Sequence, residues 1–215
     1  ELDKVSTNIY RSEYSSLGYE GWSDLPGTRL EMESISKNIT DSKIYYGDNA
    51  SESSLKALSR SGKISEYNII HFATHGLLVT DKPELNALIL SQNDIPSEDG
   101  YLRSEEIEAL DLDVDLVVLS ACETAVGESF YSEGIVGLTN SFFIAGARSV
   151  ISTLWPVDDQ ATAVFMSSFY DNINKTDSIV LALADTKREF IKGEHGDKYK
   201  KPYYWAPFIY YGRDN

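Results

Sequence analysis

Apolar positions along this chain fall into two alternating patterns, short continuous runs and longer stretches with a single apolar face. The runs Tyr67 to Ala73, Asn86 to Leu90, Leu116 to Ala121, Arg148 to Leu154 and Trp205 to Tyr211 are too short for full helices. They predict strands, and those at 67–73, 116–121 and 148–154 are apolar enough to be covered on both faces. Between them lie helix-forming stretches. Thr28 can cap a helix that turns Leu30, Met32, Ile35 and Ile39 inward, and Ser51 or Ser53 can start another that presents Leu55, Leu58 and Ile64, with Gly62 near its end. Further helices are predicted from Ser104, over Gly134 to Ala145, over Asp158 to Asn172 and over Ser178 to Lys192. A short strand is expected at Lys43 to Tyr46. Residues 1–27 are polar and tyrosine-rich with turn signals at Gly18, Gly21 and Pro26-Gly27, so a mostly looped segment of the same domain is expected there, ahead of the main body at 28–215. Strands alternating with helices imply right-handed crossovers and a mainly parallel sheet clothed by helices on both sides. In such α/β folds function gathers beyond the carboxyl ends of the strands.

Composition narrows the partners. With 34 acidic against 19 basic residues the net charge is −15, a field that repels phosphate backbones and anionic lipid, so nucleic acid and membrane surfaces are not expected as partners. No apolar run approaches the roughly 18 to 20 residues that cross a bilayer, and no export pattern opens the chain. The single cysteine, Cys122, excludes an internal disulfide and a thiolate metal cluster, which fits a reducing cytoplasm. The chain starts without methionine and ends in a polar Gly-Arg-Asp-Asn, so it is expected to be a piece of a longer protein.

That lone thiol is where chemistry enters. Cys122 directly follows one covered run and His75 directly follows another, so in a parallel sheet both emerge on the same rim. A thiol with an ordinary pKa near 8.5 needs a base to become a nucleophile at neutral pH, and an imidazole can take that proton and later return it to a leaving group. The plain alternative for Cys122 is a small buried apolar residue. Two other histidines compete as the base. His71 lies inside a covered run and reads as a core histidine bonded to a carbonyl, whereas His195 sits in a polar loop and reads as solvated. Gly76 lets the backbone approach a ligand, and its amide with that of Cys122 could receive an oxyanion.

The segments that carry a resemblance are Leu25-Pro26-Gly27, Ile70-His71-Phe72-Ala73-Thr74-His75-Gly76, Val117-Val118-Leu119-Ser120-Ala121-Cys122-Glu123-Thr124, Glu133-Gly134-Ile135-Val136-Gly137-Leu138, Ala145-Gly146-Ala147-Arg148-Ser149-Val150, Leu154-Trp155-Pro156-Val157-Asp158-Asp159 and Pro202-Tyr203-Tyr204-Trp205-Ala206-Pro207-Phe208. In order and spacing they resemble the CHAT domain, a branch of the caspase and separase group of cysteine peptidases, over nearly everything after residue 25. One departure stands at Ala125, where glycine would be expected. The resemblance implies a caspase-like three-layer α/β/α sandwich with a mainly parallel sheet of about six strands, and a His75 and Cys122 dyad.

It also implies an endopeptidase on protein or peptide substrates, without metal or organic cofactor, controlled by flanking domains or a protein activator such as a helical repeat array. The loops at 92–100 and 125–134 are candidates to move in that control. In separases an aspartate after a similar Leu-Trp segment receives a basic side chain, which implies Asp159 here and a preference for Arg or Lys. Asp158 and Asp159 are equally well explained as a helix N-cap and a first-turn acid. Glu123, Glu133 and Trp155 are further substrate-binding candidates, each with a structural alternative. Two rival functions remain open at this level, a catalytically silent signalling or scaffold module and a thiol-dependent esterase or acyltransferase.

Overall fold

A computed structural model of the chain describes residues 2–19, 21–79, 81–92, 98–120, 122–126 and 131–213, with side chains except at 2–8, 122–126 and 131–135. In chain order its elements are helix α1 (Leu2–Ser16), α2 (Pro26–Asn38), α3 (Glu52–Arg60), β1 (Ile69–Phe72), β2 (His75–Val79), β3 (Ala87–Ile89), β4 (Tyr101–Arg103), α4 (Ser104–Glu108), β5 (Leu116–Leu119), β6 (Cys122–Val126), α5 (Tyr131–Ile144), β7 (Ser149–Thr153), α6 (Asp159–Ile173), α7 (Ile179–Lys192), α8 (Pro202–Trp205) and β8 (Phe208–Gly212). Residues 93–97 and 127–130, in the loops singled out above, lie outside the described residues, while 125–126 belong to β6 and 131–134 to α5.

The strands form two sheets of four. One runs β1-β5-β7-β8, with β1, β5 and β7 parallel and β8 antiparallel at the edge; the other runs β4-β3-β2-β6, with β2 and β6 parallel. The fold is thus α/β with a mainly parallel sheet, but the strands among the described residues number eight in two sheets rather than about six in one. The difference has a local cause. Two expected strands, β1 and β5, are each followed after an interruption by a further strand the pattern did not predict, β2 and β6, so His75 and Cys122 open strands instead of standing at strand exits. Both ladders keep the same register, since Ile69 pairs with Leu116 and His75 with Cys122, a separation of 47 in each case. The Ser120 amide donates to the Phe72 carbonyl across the interruption at 3.0 Å.

The alternation of side chains along a strand sorts the core into faces. Val117, Leu119 and Val150 pack with Leu138 and Phe142 of α5, Ile107 of α4 and Leu55 and Leu58 of α3. On the opposite face Leu116, Val118 and Ile151 pack with Phe165 and Phe169 of α6, Phe190 of α7 and Ile35 of α2. Helices therefore cover the parallel sheet on both sides. A third cluster lies on the second sheet, where Leu77, Val79, Ala87, Ile89 and Tyr101 meet Tyr14 of α1.

Three sequence expectations need correction. Residues 2–16 are helical, not looped: Tyr10 and Tyr14, four apart, lie on one face of α1, and Tyr14 is 1% exposed. No strand forms at 43–46, where Ile44 and Tyr46 are exposed and have no sheet edge to cover. α2 starts at Pro26 with Leu25 at the cap position and no side-chain bond from it, so Thr28 does not cap. Its inward positions are Gly27, Glu31, Ile35 and Ile39, spaced by four, while Leu30 is 61% exposed.

Candidate functional site

The site is built where β1 and β5 stop and β2 and β6 begin. His75 opens β2 and Cys122 opens β6, and the two are register partners in a parallel ladder. Neighbouring strands lie about 4.8 Å apart, so the two backbones are side by side. The side chains of Cys122 and Glu123 lie outside the described residues; Glu123 is the register partner of Gly76, the buried second residue of β2, which also pairs with Leu88 of β3. Thr74, just before β2, donates its hydroxyl to the Ile89 carbonyl and ties the interruption to β3.

The imidazole of His75 is buried at 8% exposure and its surroundings are specific. Its Nε2 lies 2.7 Å from the Ser23 carbonyl oxygen. A carbonyl only accepts, so Nε2 carries the hydrogen and Nδ1 holds the lone pair in the neutral ring. Among the described residues Nδ1 is buried without a hydrogen-bond partner. Trp22, next to Ser23 in the segment between α1 and α2, lays its indole 5.2 Å from the imidazole at 38°. The pattern of apolar positions gave Trp22 and Ser23 no role; the one available signal was a tryptophan standing in an otherwise polar stretch.

The same segment reaches the other predicted residues. Four positions beyond Ser23, the Gly27 amide donates to an Asp159 carboxylate oxygen, which satisfies one of the free donors at the start of α2. A β-carbon on Gly27 would stand 2.5 Å from the Asp159 carboxyl carbon, so any larger residue must displace that carboxylate. Asp158 caps α6 by accepting from the Ala161 amide at 3.1 Å, and Lys198 Nζ stands 3.9 Å from it. Trp155 donates to the Tyr203 carbonyl at 3.1 Å, and Tyr203 returns a bond from its hydroxyl to the Pro156 carbonyl at 2.9 Å. All three follow β7, on the same rim as the ends of β1 and β5. The side chain of Glu133, in α5, lies outside the described residues.

The other two histidines have structural partners. His71 sits inside β1 with Nδ1 at 2.9 Å from the Tyr170 hydroxyl and Nε2 at 2.9 Å from both Ser120 Oγ and Glu31 Oε1. It is the core histidine the pattern predicts, bonded to side chains rather than to a carbonyl. Glu31 is 1% exposed and was missed, although its spacing of four from Ile35 marks the inward face. Burial, and then the nearby Glu31 carboxylate, push the Tyr170 hydroxyl well above its ordinary pKa. His195 is not simply solvated: its Nε2 lies 3.1 Å from Glu189 and its ring 4.7 Å from Phe190. Burial pushes Glu189 up, but bonds from Ser168, Asn172 and His195 outweigh it and hold the carboxyl below its usual range.

Among the described residues one carboxylate group, Glu52, Glu98 and Glu106, is close enough to share a metal ion. Lys56 Nζ already stands between them at 3.2, 2.6 and 2.8 Å and supplies the positive charge itself. No helix among the described residues is long and apolar enough to cross a membrane.

These features define an α/β protein that sets a histidine beside a cysteine where two parallel strands resume after a shared interruption. The chain belongs to the CHAT domain family, which matches residues 12–213 and is caspase-like. It is similar to tetratricopeptide repeat protein 28 of Homo sapiens, 28% identical over 142 residues, covering 66% of this chain and 5% of the relative. The protein of the same name from Mus musculus is 29% identical over 136 residues, covering 63% of this chain and again 5% of the relative. The chain thus corresponds to a small part of the relatives it matches.

Proposed function

We propose that the chain is a cysteine endopeptidase domain acting on protein substrates, with Cys122 as nucleophile and His75 as proton carrier. The observation that supports it best is the in-register pairing of His75 with Cys122 beside an imidazole whose Nε2 is engaged by Ser23 and whose Nδ1 has no partner among the described residues. In this scheme Nδ1 takes the thiol proton as sulfur adds to the scissile carbonyl carbon, and the carbonyl electrons move onto oxygen. Collapse of the adduct breaks the carbon–nitrogen bond, and Nδ1–H protonates the leaving amine. Water then adds to the thioester, gives a proton to Nδ1, and sulfur departs. The amides of Gly76 and Cys122 are our candidates for receiving the oxyanion.

We further infer that the two sheets act as one caspase-type six-stranded sheet, with β1 continued by β2 and β5 by β6. The constant register and the Ser120 to Phe72 bond support this. Asp159 is our candidate for reading an Arg or Lys side chain, with Asp158, Glu123 and Trp155 as further candidates, in keeping with a net charge of −15. A helical repeat array as regulator draws support from relatives named for tetratricopeptide repeats. A single cysteine supports a reducing, cytoplasmic setting. Cleavage of a peptide library should vanish in Cys122→Ala and in His75→Ala; a folded Cys122→Ala protein that still cleaves would overturn the assignment. A catalytically silent module is the second reading, favoured by the burial of His75 and by relatives named for their repeats alone. It predicts that the wild-type protein cleaves nothing and that its thiol alkylates at an ordinary rate.

A further inference from the structure

We propose that Trp22 is a positioning residue for His75, holding the imidazole in the one orientation that aims Nδ1 at the neighbouring strand. The proposal rests on the reading of His75 and Cys122 as a reacting pair. A hydrogen bond from Nε2 to the Ser23 carbonyl fixes one axis of the ring and leaves rotation about that axis free. A flat group packed against the ring removes that freedom, and the Trp22 indole, 5.2 Å away, is placed to do so.

Trp22 is itself held on every side that the described residues supply. Its Nε1 donates to the Tyr101 hydroxyl at 3.4 Å, its ring lies parallel to Tyr19 at 5.7 Å, and it meets Tyr101 edge-on at 6.2 Å. The Tyr101 hydroxyl donates to the Tyr19 carbonyl at 3.2 Å, closing a loop of contacts around the segment. Tyr101 stacks on Tyr14 of α1 at 3.7 Å, and the Tyr14 hydroxyl donates to the Leu85 carbonyl at 3.0 Å. An unbroken series of rings therefore runs from a buried mount on α1 to the imidazole. A surface loop that only needed to cross the sheet would require none of it. The buried Nδ1 without a partner among the described residues is the atom the series serves.

Because Cys122 is the only cysteine, its alkylation by iodoacetamide reports on the imidazole beside it without interference. Trp22→Ala should slow alkylation at pH 6.5 by about tenfold or more, as a small misplacement of a catalytic group does, and bring it near the rate of His75→Ala. Trp22→Phe, which keeps a flat ring, should recover most of the rate. Nitrogen NMR of the wild type should show the His75 hydrogen held on Nε2, and Trp22→Ala should average the two ring nitrogens. Should Trp22→Ala not fold, Tyr101→Phe removes the acceptor of the indole while keeping the stack on Tyr14, and it should slow alkylation at least twofold. Loss of rate in His75→Ala with wild-type rates and nitrogen shifts in Trp22→Ala, or in Tyr101→Phe if it stands in, would overturn the positioning role and leave the pair intact. Wild-type alkylation in His75→Ala would instead overturn the pair.

Discussion

Gly27 is the residue on which two separate segments converge. Its amide bonds Asp159, and a methyl group there would meet the carboxyl carbon at 2.5 Å. Gly27→Ala must push the carboxylate aside, and an overpacked contact of this kind costs about 1–3 kcal/mol. Urea denaturation should show that loss, and if Asp159 reads a basic side chain, the preference for Arg or Lys over neutral residues should fall in the same variant. Unchanged stability would show that the Asp159 carboxylate yields to a methyl group without cost. The sequence alone pointed to His75 and Cys122 as candidates, because each stands just after an apolar run. It exposed the residues around the pair poorly. A carbonyl such as that of Ser23 has no side-chain signature, and Glu31 was hidden because a charged residue on an inward face contradicts the apolar period that defines the face.

Elements with continuous apolar runs or a clear cap were legible: Ser51 caps α3, Ser178 caps α7 and Gly193 closes α7 in the left-handed conformation. α1 was not, since its packing side chains are tyrosines, which count as polar in a hydropathy pattern yet bury most of their surface. Tyr14 anchors that helix by its stack on Tyr101 and its bond to Leu85. Tyr14→Ala should cost about 3–5 kcal/mol, as truncation of a buried aromatic does, and should raise amide exchange through α1 first. Tyr14→Phe keeps the stack and should cost only about 1 kcal/mol. Equal losses in the two variants would shift the weight from the ring to the hydroxyl. β2 and β6 also escaped the pattern, because Thr74-His75-Gly76 and Cys122-Glu123-Thr124 read as the polar ends of the preceding runs.

For the molecule as a whole, one buried acid adds a pH response above the ordinary carboxylate range. Burial, and then the Glu106 charge, push Glu52 up to about 8 against the pull of Lys56. Between its unfolded value and about 8 the folded protein holds a proton that the unfolded chain has released, so stability falls as pH rises through that window. Below it the depressed Glu189 acts in the opposite sense, its contribution being lost as pH falls through its folded value. Urea midpoints measured at pH 5 and pH 8 should therefore drop in the wild type and drop less in Glu52→Gln; equal drops would remove Glu52 as the cause. The paired interruptions carry a last consequence. The partners at 75 and 122 face each other only because both chains spend the same number of residues crossing from one ladder to the next. Adding one residue to a single crossing would slide one strand past the other and separate histidine from cysteine, whereas adding one to each would bring them level again. The pairing of positions 75 and 122 is thus held by a matched count of residues, and changes of length at these two places preserve it only in step.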